Sequence, residues 1–338
     1  MPAIPENASR RSTIPPVGRA LIGFWGGLGL LCVGALSVAS VLALRSPHAP
    51  PVSHPATRQP STAVPRETLI EPLPDDPTHT LPIMGRDGAM AARRYAAASP
   101  VVVPGRPQIA ILVDGFGLDG TLSQTALERL PAPISVAMSP YLPDPEATVR
   151  SVRAHGHEIF LSLPMEPANT ATNDEGPNAL GYDHSASVNQ DNLHWSLSRF
   201  GEYVGVTNAA GGLDGDGYAR SPDFNATLRE IRQRGLLYLN VSTPPGADSA
   251  PILRLTNDLG ADTIDAALDR LEHMAKDQGR AILVTGALSP VLLDRLLNWA
   301  SRLSPDRGVI VPVSALSAPT TGSGQTPDSA PLRETTVP

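Results

Sequence analysis

The chain has 338 residues, 26 basic against 33 acidic side chains and a formal charge of −7; no basic stripe runs through it, which excludes nucleic acid as a main partner. Proline is abundant at 36 residues and aromatics are scarce at 4%, a composition that predicts folded and disordered segments in one chain. Cys32 is the only cysteine, so the chain has neither an intrachain disulfide nor a cysteine-based metal site.

In chain order, the first feature is an uncharged run of 25 residues from Ala20 to Leu44. About 20 residues suffice to cross a bilayer as a helix, so this run predicts a membrane anchor. Arg10, Arg11 and Arg19 precede it with only Glu6 in opposition, which places residues 1–19 in the cytoplasm. The competing reading is a signal peptide cut near "SVAS", although its apolar core would be long for one, since such cores run to about 7–15 residues. Either reading puts the remainder outside the cytoplasm, as an inner-membrane protein with a periplasmic or extracytoplasmic domain. The segment 45–105 follows as a linker. Residues 46–107 hold 13 prolines, which remove donors and favour extended chain. Within it, "LPIMGRDGAMAARRYAA" is poorer in proline and is expected to lie against the folded domain. His48, His54 and His79 are too scattered to form a metal site. The tail 318–338 reads as disordered.

Between residues 106 and 317 short apolar runs alternate with helical patterns. "QIAILVDG", "PISVAMSP", "EIFLSLPM", "YVGVTNAA", "LLYLNVST", "AILVTGA" and "GVIVPVSA" predict seven buried strands. Helical patterns lie between most of them; one opens at Ser221 and is followed by Gly235. Strands separated by single helices imply βαβ units and a mainly parallel sheet, as a (β/α) barrel or an open doubly wound sheet. No G-x-G-x-x-G follows the first strand and no G-K-[ST] occurs in the domain, so nucleotide binding has little support.

In either architecture the active site lies beyond the C-terminal strand ends. The polar residues expected there are Asp114, Ser162 with Glu166, Thr207 with Asn208, Asn240 with Ser242 and Thr243, and Thr285. An insertion over 168–189, carrying Asp174, Glu175, Asp183 and His184, is placed to cover that face.

Four segments, "IAILVDGFG", "LPAPISVAMSPY", "RAHGHEIFLSLPMEP" and "VGVTNAAGG", resemble the divergent polysaccharide deacetylase family, a branch of the NodB-like deacetylases. The resemblance spans roughly residues 108–317 and implies a (β/α)7 barrel. It also implies a metal held by one Asp and two His, with a second carboxylate as the base that removes acetyl groups from amino sugars. Carried over residue by residue, the pattern is incomplete. A pair of aspartates is expected after the first strand, base first and ligand second; Asp114 and Gly115 stand there. The His expected after the fourth strand is replaced by Ala209, with Asn208 retained. The fifth-strand Asp-Ser appears as Asn240 and Val241, and the late Gly-His as Thr285 and Gly286.

These observations assign Asp114 and Glu166 as candidate catalytic residues and Ser162, Asn208 and Asn240 as candidate substrate-binding residues. No metal ligand set and no cofactor are expected; zinc enters only if the family mechanism survives. For Asp114 the alternative is a turn carboxylate accepting loop amides, and for Glu166, between Pro164 and Pro167, a structural carboxylate. His155 and His157 fall at the opposite, stability end of the barrel. His184 and His194 read as solvated, and His273 as a helix-surface residue. "LDGDG" at 213–217 is a turn, because it lacks the twelve-residue calcium pattern. The expected function is a membrane-anchored, envelope-facing deacetylase-like protein of carbohydrate metabolism with lost or altered metal-dependent deacetylation. The alternative is a non-catalytic module that binds glycan, such as envelope polysaccharide or peptidoglycan, or a protein partner. The oligomeric state is open.

Overall fold

The computed structural model describes residues 69–74, 76–168, 175–209, 216–242, 250–256 and 259–317. The expected anchor at 20–44 and the tail at 318–338 lie outside them. Among the described residues no helix is long and apolar enough to cross a membrane.

The centre is β3 (Gln108–Phe116), buried throughout except at the terminal Gln108. A strand buried on both faces reads as a continuous apolar run rather than an alternation, and "IAILV" is such a run. On one side β3 pairs in parallel with β4 (Ser135–Met138), followed by β5 (Ile159–Ser162), β6 (Gly205–Thr207) and β7 (Leu237–Leu239). On the other it pairs with β9 (Arg280–Thr285), which pairs with β8 (Ile252–Arg254). The order is β7-β6-β5-β4-β3-β9-β8, a curled parallel sheet, with β10 (Val309–Ile310) beside the start of β3. Among the described residues no pairing joins β7 to β8.

All seven expected strands are present, the last reduced to two residues before the chain turns into the short helix α9 (Val313–Ser317). The eighth, β8, carries a charged residue in only three positions and so lacks a periodic signal.

The connecting helices are α2 (Gly120–Arg129), α3 (Pro145–Ala154), α4 (Ala186–Ser198), α5 (Asp216–Ala219), α6 (Phe224–Gln233), α7 (Ala261–Gln278) and α8 (Pro290–Arg302). Their starts are set by side-chain caps. Asp119 accepts from Leu122 N, Asp144 from Ala147 N, Ser185 from Val188 N and Ser289 from Leu292 N. Each such cap is worth about 1 kcal/mol. Pro145 and Pro290 open α3 and α8, where a missing N–H costs nothing. In α6 the buried residues Phe224, Thr227 and Ile231 share one face, as helical periodicity requires.

The expected linker needs a correction, because the folded region begins well before residue 106. β1 (Ile70–Leu73) and β2 (Asp76–Pro82) form an antiparallel hairpin, and Leu69 and Leu81 are almost fully buried in the core. Arg234 donates to Glu71 Oε1 (2.9 Å) and to the Pro82 carbonyl (3.1 Å). The short helix α1 (Ala91–Arg94) follows, with Ala92 N donating to Gly235 O. Tyr95 is buried, and Ala97 N donates to the buried Glu158 carboxylate. The segment's proline content matches that of a linker. Pro72, Pro77 and Pro82 sit in a two-stranded ribbon, and proline is tolerated on sheet edges. The piece expected to lie against the domain does so.

The opposite end of the sheet from the candidate site is held by Glu158. It accepts from Ser135 Oγ, Ser314 N and Ser314 Oγ at 2.6–2.9 Å. His157 is fully buried beside it, and its Nδ1 donates to the Ile134 carbonyl (2.7 Å). Burial pushes the His157 pKa down. This is the stability role expected for that end.

Candidate functional site

The parallel register brings the C-terminal ends of β3, β5, β6, β7, β8 and β9 to one end of the sheet. Asp114, at the tip of β3, is fully buried. The Ser162 hydroxyl, at the tip of β5, donates to its Oδ1. The two strands are not neighbours, since β4 lies between them; both side chains therefore project to one face of the sheet and meet there. From the other side, Arg254 at the end of β8 carries a partly buried guanidinium. Burial pushes its pKa down, and the charge of Asp114 counters that loss. The sequence reading missed Arg254; its one signal is a lone arginine inside the apolar run "ILRL".

Asn208 and Asn240 act mainly on the backbone. Asn208 is fully buried; its Oδ1 accepts from Val241 N (2.9 Å) and its amide donates to Ser242 Oγ. Asn240 Oδ1 accepts from Ser242 N (3.0 Å). Together they shape the turn leaving β7, and Arg220 caps it by donating to the Ser242 carbonyl (3.0 Å). Thr207 donates to the Leu239 carbonyl and Thr285 to the Gly286 carbonyl. Thr243, Asp174 and most of "LDGDG" lie outside the described residues.

Glu166 stands apart from the Asp114–Ser162 pair in its bonding. Its carboxylate accepts from Tyr182 N (2.8 Å), its carbonyl from Tyr218 N (2.9 Å), and its own N–H donates to Leu180 O. It pins the insertion onto the strand ends. A Cβ at Gly181 would lie 2.6 Å from Glu166 Oε2, so any side chain there would displace that carboxylate. Tyr182 is exposed beside it, with its ring edge-on to the buried Tyr218 at 6.0 Å.

Gly115 follows Asp114 with φ +63°, a conformation that favours glycine. A Cβ there would lie 3.1 Å from both Cα and Cβ of Ala287 and 3.2 Å from Leu118 Cδ1. Ala209 is buried at 2% exposure, and Gly286 N donates to Leu255 O. Among the described residues no three His, Cys, Asp or Glu side chains gather into a group able to hold a metal.

The histidines are spread out. His184 is exposed on the insertion, and His273 is exposed on α7 with its Nδ1 on the Asp269 carbonyl. His194, expected to be solvated, is instead half-buried on α4, 2.6 Å from Glu230 Oε1. Arg234 binds the same carboxylate. Burial alone would raise the Glu230 pKa, but the His194 and Arg234 hydrogen bonds outweigh it and hold it below the usual range.

The family model described as divergent polysaccharide deacetylase matches residues 111–317. Among solved structures, an uncharacterized protein from Agrobacterium tumefaciens C58 is 30% identical, with a TM-score of 0.62, covering 70% of this chain and 99% of that one. No curated protein matches.

Proposed function

The chain belongs to the divergent polysaccharide deacetylase family, and from that premise we propose that the strand-end site recognises an envelope carbohydrate, with the metal-dependent deacetylation of its relatives lost or altered. The observation that carries this reading is the state of Gly115. The resemblance implies a ligand aspartate at that position and histidines at 209 and 286. The residues present do not fit such a metal. Glycine and alanine offer no side-chain donor, and the space beyond the Gly115 Cα is taken by Ala287 and Leu118. A metal in this family would polarise the acyl carbonyl and lower the pKa of bound water.

The remaining groups suit recognition. The Asp114 carboxylate accepts, and the Ser162 hydroxyl, whose proton goes to Asp114, keeps lone pairs that accept, so both suit a donating sugar hydroxyl. Arg254 supplies a fixed positive charge beside them. The second reading, a non-catalytic module for glycan or a protein partner, is favoured by the burial of Ala209 where a side-chain donor would be needed. Anchoring through 20–44 and an extracytoplasmic domain remain part of the proposal, supported by the uncharged run and its preceding arginines.

The test is a deacetylation assay on N-acetylated glycans, run with and without added zinc, beside calorimetric binding of the same glycans. Glycan binding without zinc-stimulated acetate release supports the proposal. Zinc-dependent release would overturn its mechanistic half, and absence of binding to any glycan its first half.

A further inference from the structure

Between the short helix α1 and β3 the chain is uncharged from Tyr95 to Gly105, "YAAASPVVVPG", with Arg93 and Arg94 before it and Arg106 after it. Both ends of this segment are fixed at the end of the sheet away from the candidate site. Ala97 N donates to Glu158, which precedes β5, and Gln108 N, at the start of β3, donates to Gly279 O. Between these points Val101 is 73% exposed and Val103 58%, while Val102 packs against the core. The alternation puts Val101 and Val103 on one outward side. Helices of a parallel sheet run against the strands, so their C-termini gather at this same end. Arg129 ends α2 and Arg302 ends α8, both exposed. Arg94 and Arg153, near the ends of α1 and α3, both stand over the Tyr95 ring. Glu128 and Asp277 oppose them, and Asp306 is tied to Arg106.

We propose that this end of the domain rests on an anionic lipid bilayer, with Val101 and Val103 dipping into the interface and the surrounding arginines on the headgroup phosphates, so that the strand-end site faces away from the membrane. The proposal is independent of what that site binds. Arginines at helix C-termini also complement the helix dipoles, so they would not point to a lipid surface alone. The valines are the second observation, because nothing in the fold requires two large apolar side chains to stand in water. Together the two features select the partner. A soluble polyanion would pair the arginines and leave the valines wet, and an apolar protein face would cover the valines and strand the arginines. A bilayer interface takes both, since binding there adds buried apolar area to attraction for anionic lipid. Charge also fixes the orientation. The site end carries Asp119, Asp144, Glu146, Asp183 and Asp262, all exposed near helix starts, and an anionic surface repels them.

The experiment uses the full chain with Cys32→Ser and one environment-sensitive dye, attached at Val101→Cys in one protein and at Leu118→Cys, on the site end, in another. Both positions are exposed, and circular dichroism checks the folding of each protein. The labelled chains are mixed with vesicles of phosphatidylcholine alone or of phosphatidylcholine with phosphatidylglycerol, and the dye is challenged with acrylamide. The expected result is a blue shift and protection from acrylamide at 101 on the phosphatidylglycerol vesicles only, with the dye at 118 open throughout. Arg93→Gln, Arg129→Gln and Arg302→Gln should each raise the lipid concentration for half of that shift about fivefold. A dye at 101 that stays open on anionic vesicles overturns the proposal, and so does a dye at 118 that is protected as well as or better than the one at 101. Protection at 101 without vesicles would place a second copy or another segment of this chain on the valines, and overturns it too. Equal protection on the two kinds of vesicle, or no effect of the three arginine variants, overturns the part played by charge.

Discussion

The Ser162 hydroxyl donates to the Asp114 carboxylate from two strands away, across the end of β4, with both side chains buried. Arg254 ends β8, on the other side of β3 across β9, and its charge is felt by the same carboxylate. A buried charge is tolerated only when it is paired and hydrogen-bonded, so these three residues form one unit at the strand ends.

That unit predicts an ordered series of stabilities. Ser162→Ala should lower stability by about 1–3 kcal/mol, the usual cost of leaving a buried acceptor short of a donor. Asp114→Asn should cost more, because the partly buried Arg254 then faces a neutral amide. The double variant Asp114→Asn with Arg254→Met should recover part of the loss, since removing both partners avoids an uncompensated charge. Urea unfolding of these proteins, and of Arg254→Met alone to complete the cycle, measures this; additive losses from Asp114→Asn and Arg254→Met would show that the two groups do not interact.

The hairpin should be part of the cooperative unit. Deleting residues 69–82 removes Leu69 and Leu81 from the core, and a buried leucine lost to alanine already costs about 2–5 kcal/mol. A shortened chain starting at Gly85 should melt well below the full chain. Equal melting temperatures would return the hairpin to the linker.

Stability should also fall in mild acid through His157. Its folded pKa lies below the ordinary 6.5, so the unfolded chain takes up its proton first. Stability is therefore full above about pH 6.5 and declines as pH drops from there towards the folded pKa. His157→Gln should flatten the melting temperature between about pH 6.5 and 5. A slope unchanged in the variant would assign the effect to other groups.

Placing side-chain donors at 115 and 209 should not create a metal site. Gly115→Asp meets Ala287 and Leu118, and its φ is unfavourable for any side chain. Gly115→Asp combined with Ala209→His should lose stability by about 1–3 kcal/mol from overpacking and gain no zinc affinity by calorimetry. Tight zinc binding by that variant would show a pocket that merely lacks its ligands.

Much of this was legible in the sequence, for physical reasons that differ by element. "IAILV" announces β3 because a doubly buried parallel strand has no polar side to show. Asp114 and Ser162 fall at the site because strand ends in a parallel sheet converge at one end. The hairpin was hidden because its prolines match a linker's composition, and only the pairing of Ile70 with Pro82 reveals it. Arg254 was hidden because β8 is three residues long, too short for any period to register. Asn208 and Asn240 were placed at the right end, but their bonds to Val241 N and Ser242 N follow from the turn's geometry, which composition does not encode.

The measurement that bears most directly on the central claim is calorimetric titration of the chain with N-acetylated glycan oligomers in the presence of a metal chelator. The account predicts that binding persists under chelation and is lost in Asp114→Ala. Binding that disappears with chelator and returns with one equivalent of zinc per chain would contradict it.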